Sequence, residues 1–118
     1  METLVQTYLQ LWNETDADRR ATLYAQTFTP DATYQDPHMQ ASGAAELDGL
    51  VSAVHDRFPE LVFTPDGTPE TVGEHLRFSW NLGPRDGAAV ANGTDFVLVR
   101  DGRFAWVVGF LNAVAPGV

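Results

Sequence analysis

The chain has 118 residues, with seven Arg, no Lys and sixteen carboxylates, for a formal charge of −9. A protein that tracks a nucleic-acid backbone needs the opposite sign, and an anionic membrane surface would repel this one, so neither is expected as a partner. Cysteine is absent, which excludes disulfides, thiolate nucleophiles and cysteine-held metals, while 44% apolar against 19% charged residues is a globular balance.

The length fits one domain, residues 1–118, with enough chain for a core and a small cavity. No stretch approaches the length of a membrane-crossing helix. Met1 leads straight into an amphipathic pattern rather than a signal peptide, so a soluble, cytoplasmic protein is expected.

Between Glu2 and Asn13, Leu4, Tyr8, Leu11 and Trp12 recur at helical spacing, and Val5 and Leu9 widen the apolar face. Thr15 followed by Asp18 has the spacing of a capping box for a second helix, Asp16 to about Gln26, burying Ala21, Tyr24, Ala25 and Phe28. Thr29-Pro30-Asp31 stops it, since the residue before a proline avoids helical geometry. Ala32 to Pro37 alternates and reads as a short strand closed by its proline. Ser42-Gly43 opens a third helix through Leu47, Leu50, Val51, Val54 and Phe58, which Pro59 ends.

Three strands are predicted next: Leu61 to Pro65, Thr71 to Leu82, and Ala88 to Val99 with a bulge or bend at Gly93. Asp101-Gly102 is a hairpin turn, Phe104 to Asn112 the last strand, and residues 113–118 a loose tail. Three helices ahead of five or six mainly antiparallel strands make the fold α+β. A curved sheet folded over a long helix leaves one open end, where a small-molecule site is expected.

The run Phe28-Thr29-Pro30-Asp31-Ala32-Thr33-Tyr34-Gln35-Asp36-Pro37 resembles the nuclear-transport-factor-2-like superfamily, and within it the SnoaL-like branch of polyketide cyclases and ketosteroid isomerases. The resemblance continues through Phe58-Pro59, Phe78 to Gly83, Gly93 to Phe96, Asp101-Gly102-Arg103 and Gly109 to Asn112, nearly the whole chain. It implies a cone-shaped α+β barrel, three helices of the N-terminal half against the curved sheet, and a homodimer formed through the sheet's outer face. It also implies cofactor-free, metal-free chemistry on a small apolar ligand. Matched to the ketosteroid isomerases, the base falls on Asp36, the oxyanion tyrosine on Tyr8, five residues before Asn13, and the protonated oxyanion aspartic acid on Asp95.

Proton transfer alpha to a carbonyl needs a base near the carbon and donors facing the developing enolate oxygen. A carboxylate can be the base; a tyrosine and a carboxylic acid kept neutral by apolar surroundings can be the donors. Asp95 shares one strand face with Val97 and Val99, and burial of that face raises its pKa. His38, beyond the Asp36-Pro37 turn, and His75, alternating with Arg77 and Ser79, are candidates to orient a substrate, and Trp80, Phe28 and Phe58 to wall the pocket. The three histidines share no metal-ligand spacing.

Other readings use the same residues. Tyr8 fits a core tyrosine, Asp36 a turn former, and Asp95 a structural carboxylate bonded to backbone, Arg77 or Arg103. Together these describe a non-catalytic binding domain. Arg77 between Asp36 and Asp95 would instead give the Asp-Arg-Asp set of an epoxide hydrolase, and polyketide cyclisation is a further option. Some ketosteroid isomerases back the oxyanion tyrosine with a second tyrosine where this chain has Phe28, leaving Tyr24 or Tyr34 to substitute.

Overall fold

The computed structural model describes residues 2–117. Helix α1 (Glu2–Asn13) buries Val5, Tyr8, Leu9, Leu11 and Trp12, the predicted apolar face. Helix α2 (Ala17–Thr27) is capped by Asp16, whose side chain accepts from the Arg19 N–H, and not by Thr15. It buries Arg20, Tyr24 and Thr27, whereas Ala21 and Ala25 face solvent. Arg20 can be buried because every nitrogen of its guanidinium donates: to Asp48, to Ser52 Oγ and to the Glu14 carbonyl, tying α2 to the third helix.

Phe28 ends α2 and opens strand β1 (Phe28–Gln35), earlier than the proline signal suggested. Strand β2 (Gln40–Ser42), unforeseen in the sequence, pairs antiparallel with β1 and leads into α3 (Gly43–Arg57). The Ser42 N–H donates to Glu46 Oε1, so the start of α3 is held by the glutamate.

Strands β3 (Leu61–Val72), β4 (His75–Pro84), β5 (Ala91–Arg100) and β6 (Arg103–Val114) form antiparallel hairpins. The predicted strand Thr71 to Leu82 is in fact divided by a turn at Gly73, whose φ of 58° suits glycine. Pro65 and Pro69 masked the length of β3. They are tolerated because β3 is an edge strand and bulges between Asp66 and Glu70. The Asp101-Gly102 turn has positive φ at both residues, as a two-residue hairpin demands. Strand β6 runs two residues past Asn112 into the expected tail, and the Ala115 N–H donates to the Val90 carbonyl.

The sheet order is β2-β1-β6-β5-β4-β3, with β1 and β6 parallel and every other pair antiparallel. The fold is therefore α+β with a mixed, mainly antiparallel six-stranded sheet, as predicted. Helix α1 is fixed at the concave face by its last residue: Asn13 donates to the Phe63 carbonyl at 2.8 Å and accepts from the Phe63 N–H at 2.7 Å.

Candidate active site

Along β4, Leu76, Phe78 and Trp80 turn toward the concave face while His75 and Arg77 face solvent. Along β5 the concave set is Gly93, Asp95, Val97 and Val99, and register places Asp95 beside Phe78 and Gly93 beside Trp80. A register shift does fall at Gly93, the extra residue belonging to β6. Glycine is required there for a second reason: a Cβ would collide with the Trp80 indole. Seated on Gly93, the indole donates its Nε1–H to Asp95 Oδ1 at 3.2 Å. The Tyr8 hydroxyl, reaching across from α1, donates to Asp95 Oδ2 at 2.9 Å.

Asp95 is 2% exposed. Burial lifts its pKa from 3.8 to about 6; the hydrogen bonds from Trp80 and Tyr8 oppose the rise and the charge of Asp36 adds to it. Burial, then the Asp95 charge, raises Tyr8 well above the ordinary phenol. The Tyr8 ring is held among Phe28, Phe78 and Phe104, at centroid distances of 5.9, 5.4 and 5.4 Å.

Asp36, just past β1, is built differently. Its Oδ1 accepts from the His38 and Met39 N–H groups, both at 2.8 Å, closing a turn. Its Oδ2 accepts from the Tyr34 hydroxyl at 2.6 Å, the two side chains sharing a strand face at period two. Burial first, then the charges of Asp95 and Asp36, raises the Tyr34 phenol well above its usual value.

What joins the two carboxylates is Gly109 of β6. Its strand lies between β1 and β5, and a Cβ there would stand 2.7 Å from Asp95 Oδ1 and 3.6 Å from the Asp36 Cβ. Two strand spacings, about 10 Å, separate the backbones of Asp36 and Asp95, and both side chains line one cavity of about 590 Å³. Tyr8, Trp12, Tyr34, Phe63 and Trp80 surround the carboxylates; Phe58, Arg57 and Val54 of the α3 end, with Met39 and His38, complete the wall. Its size and apolar lining suit a small apolar molecule.

Of the predicted site residues, Tyr8, Asp36, Asp95, His38, Trp80 and Phe58 meet in this cavity. Three expectations are corrected. His75 lies on the solvent side, 6.4 Å from the Trp106 ring, because period two fixes which residues share a face and the apolar Leu76-Phe78-Trp80 set claims the inside. Phe28 is core beneath Tyr8, not pocket wall. Arg77 is exposed and paired with Glu70, so no Asp-Arg-Asp set assembles. Nor does a tyrosine back Tyr8: Tyr24 donates to the Thr29 carbonyl and Tyr34 to Asp36. Sequence reasoning missed Tyr34 as a partner of Asp36, although two inward positions on one strand carried that signal, and it missed the indole N–H of Trp80 as a donor. Among the described residues no three His, Asp or Glu side chains gather as a metal site, and no helix is long and apolar enough to cross a membrane.

Residues 5–107 match the model of the SnoaL-like domain. The chain belongs to the SnoaL-like family. No match was found among curated proteins. Among solved structures, a SnoaL-like protein of Agrobacterium tumefaciens str. C58 that carries the provisional name of an isomerase is 42% identical, with a TM-score of 0.88 over 94% of this chain and 96% of that one. A Sinorhizobium meliloti protein provisionally named a polyketide cyclase is 19% identical, TM-score 0.70, over 91% and 93% of the two chains. One from Kribbella flavida DSM 17836, provisionally named a ketosteroid isomerase, is 20% identical, TM-score 0.69, over 98% and 80%. The last two likenesses establish the shared NTF2-like fold.

Proposed function

We propose that this SnoaL-like protein catalyses cofactor-free proton transfer alpha to a carbonyl, on a neutral, flat, apolar substrate, with Asp36 as base and Asp95 and Tyr8 as donors to the enolate oxygen. The observation that carries it is the pairing of two unlike carboxylates in one apolar cavity, Asp36 held by three donors and Asp95 desolvated until its pKa reaches about 6. Environments that set two carboxylates apart mark one as base and the other as acid. The isomerase name of the Agrobacterium relative, at 42% identity, agrees with this reading.

In the reaction, the Asp36 carboxylate removes the α proton and becomes the acid, while the carbonyl becomes an enolate. Ligand filling the cavity excludes water from Asp95 and favours its protonated form, which donates to the enolate oxygen. Tyr8 reaches the same oxygen by rotating its O–H from Asp95 Oδ2 to the ligand. Asp36 then returns its proton to the γ carbon, the double bond moves into conjugation, and no proton is gained or lost overall. With a second carbonyl in the substrate, the same enolate would close a ring, the step a polyketide cyclase needs.

A titration with substituted naphthols tests the donors, because a naphtholate imitates the enolate oxygen. It is run in Asp36→Asn, whose neutral amide stands in for the protonated base. The expected result is preferential binding of the ionised form, weakened by Tyr8→Phe and by Asp95→Asn. Naphthols that bind without that preference, whatever residue stands at 8 or 95, would overturn the assignment. A second reading, a non-catalytic binding domain, is favoured by one fact: Tyr8 and Asp95 already satisfy each other in the free protein. In that case Asp95→Asn lowers the melting temperature and alters no chemistry.

The same proposal includes a homodimer. On the convex face Phe96 and Phe110 are 39% and 51% exposed and meet edge to face at 5.6 Å, beside half-buried Leu98, Trp106 and Val108. Two copies pairing through this stripe would cover it. Light scattering should give a dimer mass for the native chain and a monomer mass for Phe96→Glu.

A further inference from the structure

Tyr8 and Trp12 stand one helical turn apart on the face of α1 that lines the cavity. The Trp12 indole is 4% exposed, and its Nε1–H is buried with no hydrogen-bond partner among the described residues. Such a donor is rare in a folded interior and calls for a reason. The ring cannot turn away to find one. Tyr34 and Phe63 pack against it at 5.4 and 5.7 Å, and the Trp12 carbonyl is bound by the His55 ring at 2.7 Å.

The Tyr8 hydroxyl shows the complementary gap. A phenol has one proton to give and two lone pairs to fill. Its proton goes to Asp95, and among the described residues nothing donates to its oxygen. The two rings meet edge-on, with centroids 6.4 Å apart. Of all the groups acting on the Tyr8 phenol, Trp12 alone lowers its pKa, the direction a donor to the oxygen gives.

We infer that the Trp12 indole N–H is a positioning donor for the Tyr8 hydroxyl oxygen, and that the contact tightens when Tyr8 turns its proton toward a negatively charged ligand oxygen. This rests on the proposed oxyanion role of Tyr8. In the free protein the donor falls short of a hydrogen bond. Once the Tyr8 proton is drawn toward an enolate, negative charge accumulates on the phenol oxygen and attracts the waiting N–H. The contact is therefore stronger in the transition state than in the ground state, which is the condition for lowering a barrier rather than merely binding substrate. Trp80 plays the matching part at Asp95, so an indole stands behind each of the two donors. Trp12 does not touch the ligand oxygen; it acts through Tyr8.

The test replaces Trp12 with benzothienylalanine, which keeps the bicyclic shape and puts sulfur where the N–H was. In the Asp36→Asn background, the ionisation constant of bound naphthol should fall about tenfold, as for losing one hydrogen bond to a charged group. Affinity for naphthalene, which has no hydroxyl, should not change. A merely structural tryptophan would weaken both or neither, and either of those outcomes overturns the inference. A second measurement separates this inference from the isomerase reading. The Trp12 indole resonance in a 15N–1H spectrum should move downfield when naphtholate binds, and Tyr8→Phe should abolish that movement. If naphthols bind in the Asp36→Asn background with no preference for the ionised form, the isomerase reading fails. The Trp12 resonance of the naphthol-bound protein then decides the contact, and a resonance that Tyr8→Phe leaves unmoved refutes it.

Discussion

The two carboxylates of the cavity are the same side chain in opposite surroundings. Asp36 sits at a turn, half-buried, with two backbone N–H groups and a phenol directed at its oxygens. Asp95 sits mid-strand, 2% exposed, with one phenol and one indole and, among the described residues, no backbone donor. A turn can aim backbone amides at a side chain because its own amides are not consumed by a ladder; a central strand has none to spare. Position in the backbone therefore decides which carboxylate is bound by backbone donors and which is pushed toward the acid.

The largest effect expected from breaking this contrast is on turnover. Asp36→Asn should cut kcat by about 10² to 10⁴-fold on a β,γ-unsaturated cyclic ketone, followed by absorbance of the conjugated product, with melting temperature and naphthol binding retained. An unchanged rate would remove Asp36 from the chemistry. Next comes the pH dependence of stability. Folded Asp95 keeps its proton up to about pH 6, whereas the unfolded carboxyl releases it near 3.8. Between those values the folded state binds more protons, so stability should decline as pH rises through the window and level off above it. The contribution is on the order of 3 kcal/mol, read from urea unfolding at pH 4 and pH 7. Asp95→Asn should flatten that slope, and an unaltered slope would mean that Asp95 is not the group responsible.

Gly109→Ala tests whether the two carboxylates need their common floor. The added methyl would press on Asp95 Oδ1 from 2.7 Å, and the expected cost is about 1–3 kcal/mol in unfolding experiments with a loss of activity beside it. Full activity and stability would show that the row across β1, β6 and β5 is not tightly packed. The smallest effects belong outside. His75→Ala and Arg77→Ala, on the solvent face of β4, should change stability by no more than about 0.5 kcal/mol and leave kcat untouched. A tenfold change in kcat for either would return that face to the site.

Much of this arrangement was legible in the chain. Alternation placed Asp95 with Val97 and Val99 on one face, and the helix period put Tyr8 among Val5, Leu9 and Trp12. What stayed hidden has physical reasons. Alternation cannot say which of two faces is inside, and with histidine, arginine and serine on one and Leu76, Phe78 and Trp80 on the other, the apolar set was the better guide. The burial of Arg20 had no local signal, because its partners Asp48 and Ser52 lie on another helix. The turn at Gly73 was concealed by Pro65 and Pro69, which argued against a long strand and did not reckon with an edge position. The Tyr34–Asp36 bond and the Trp80 donor depend on side-chain reach across strands, which no single-strand pattern records.

The place of β6 in the sheet carries a consequence for how the molecule is made. The last strand in sequence lies in the middle of the sheet, with β1 on one side and β5 on the other. Until residues 103–114 leave the ribosome, the hairpins of the C-terminal half and the helical half with β1 have no shared strand, and each presents an open edge. Closure then depends on pairing Phe28 with Phe104 and Gln35 with Val108, contacts more than seventy residues apart along the chain. Such distant pairing is slow to form, so the nascent chain spends its most aggregation-prone interval with both cavity carboxylates already synthesised and no floor between them.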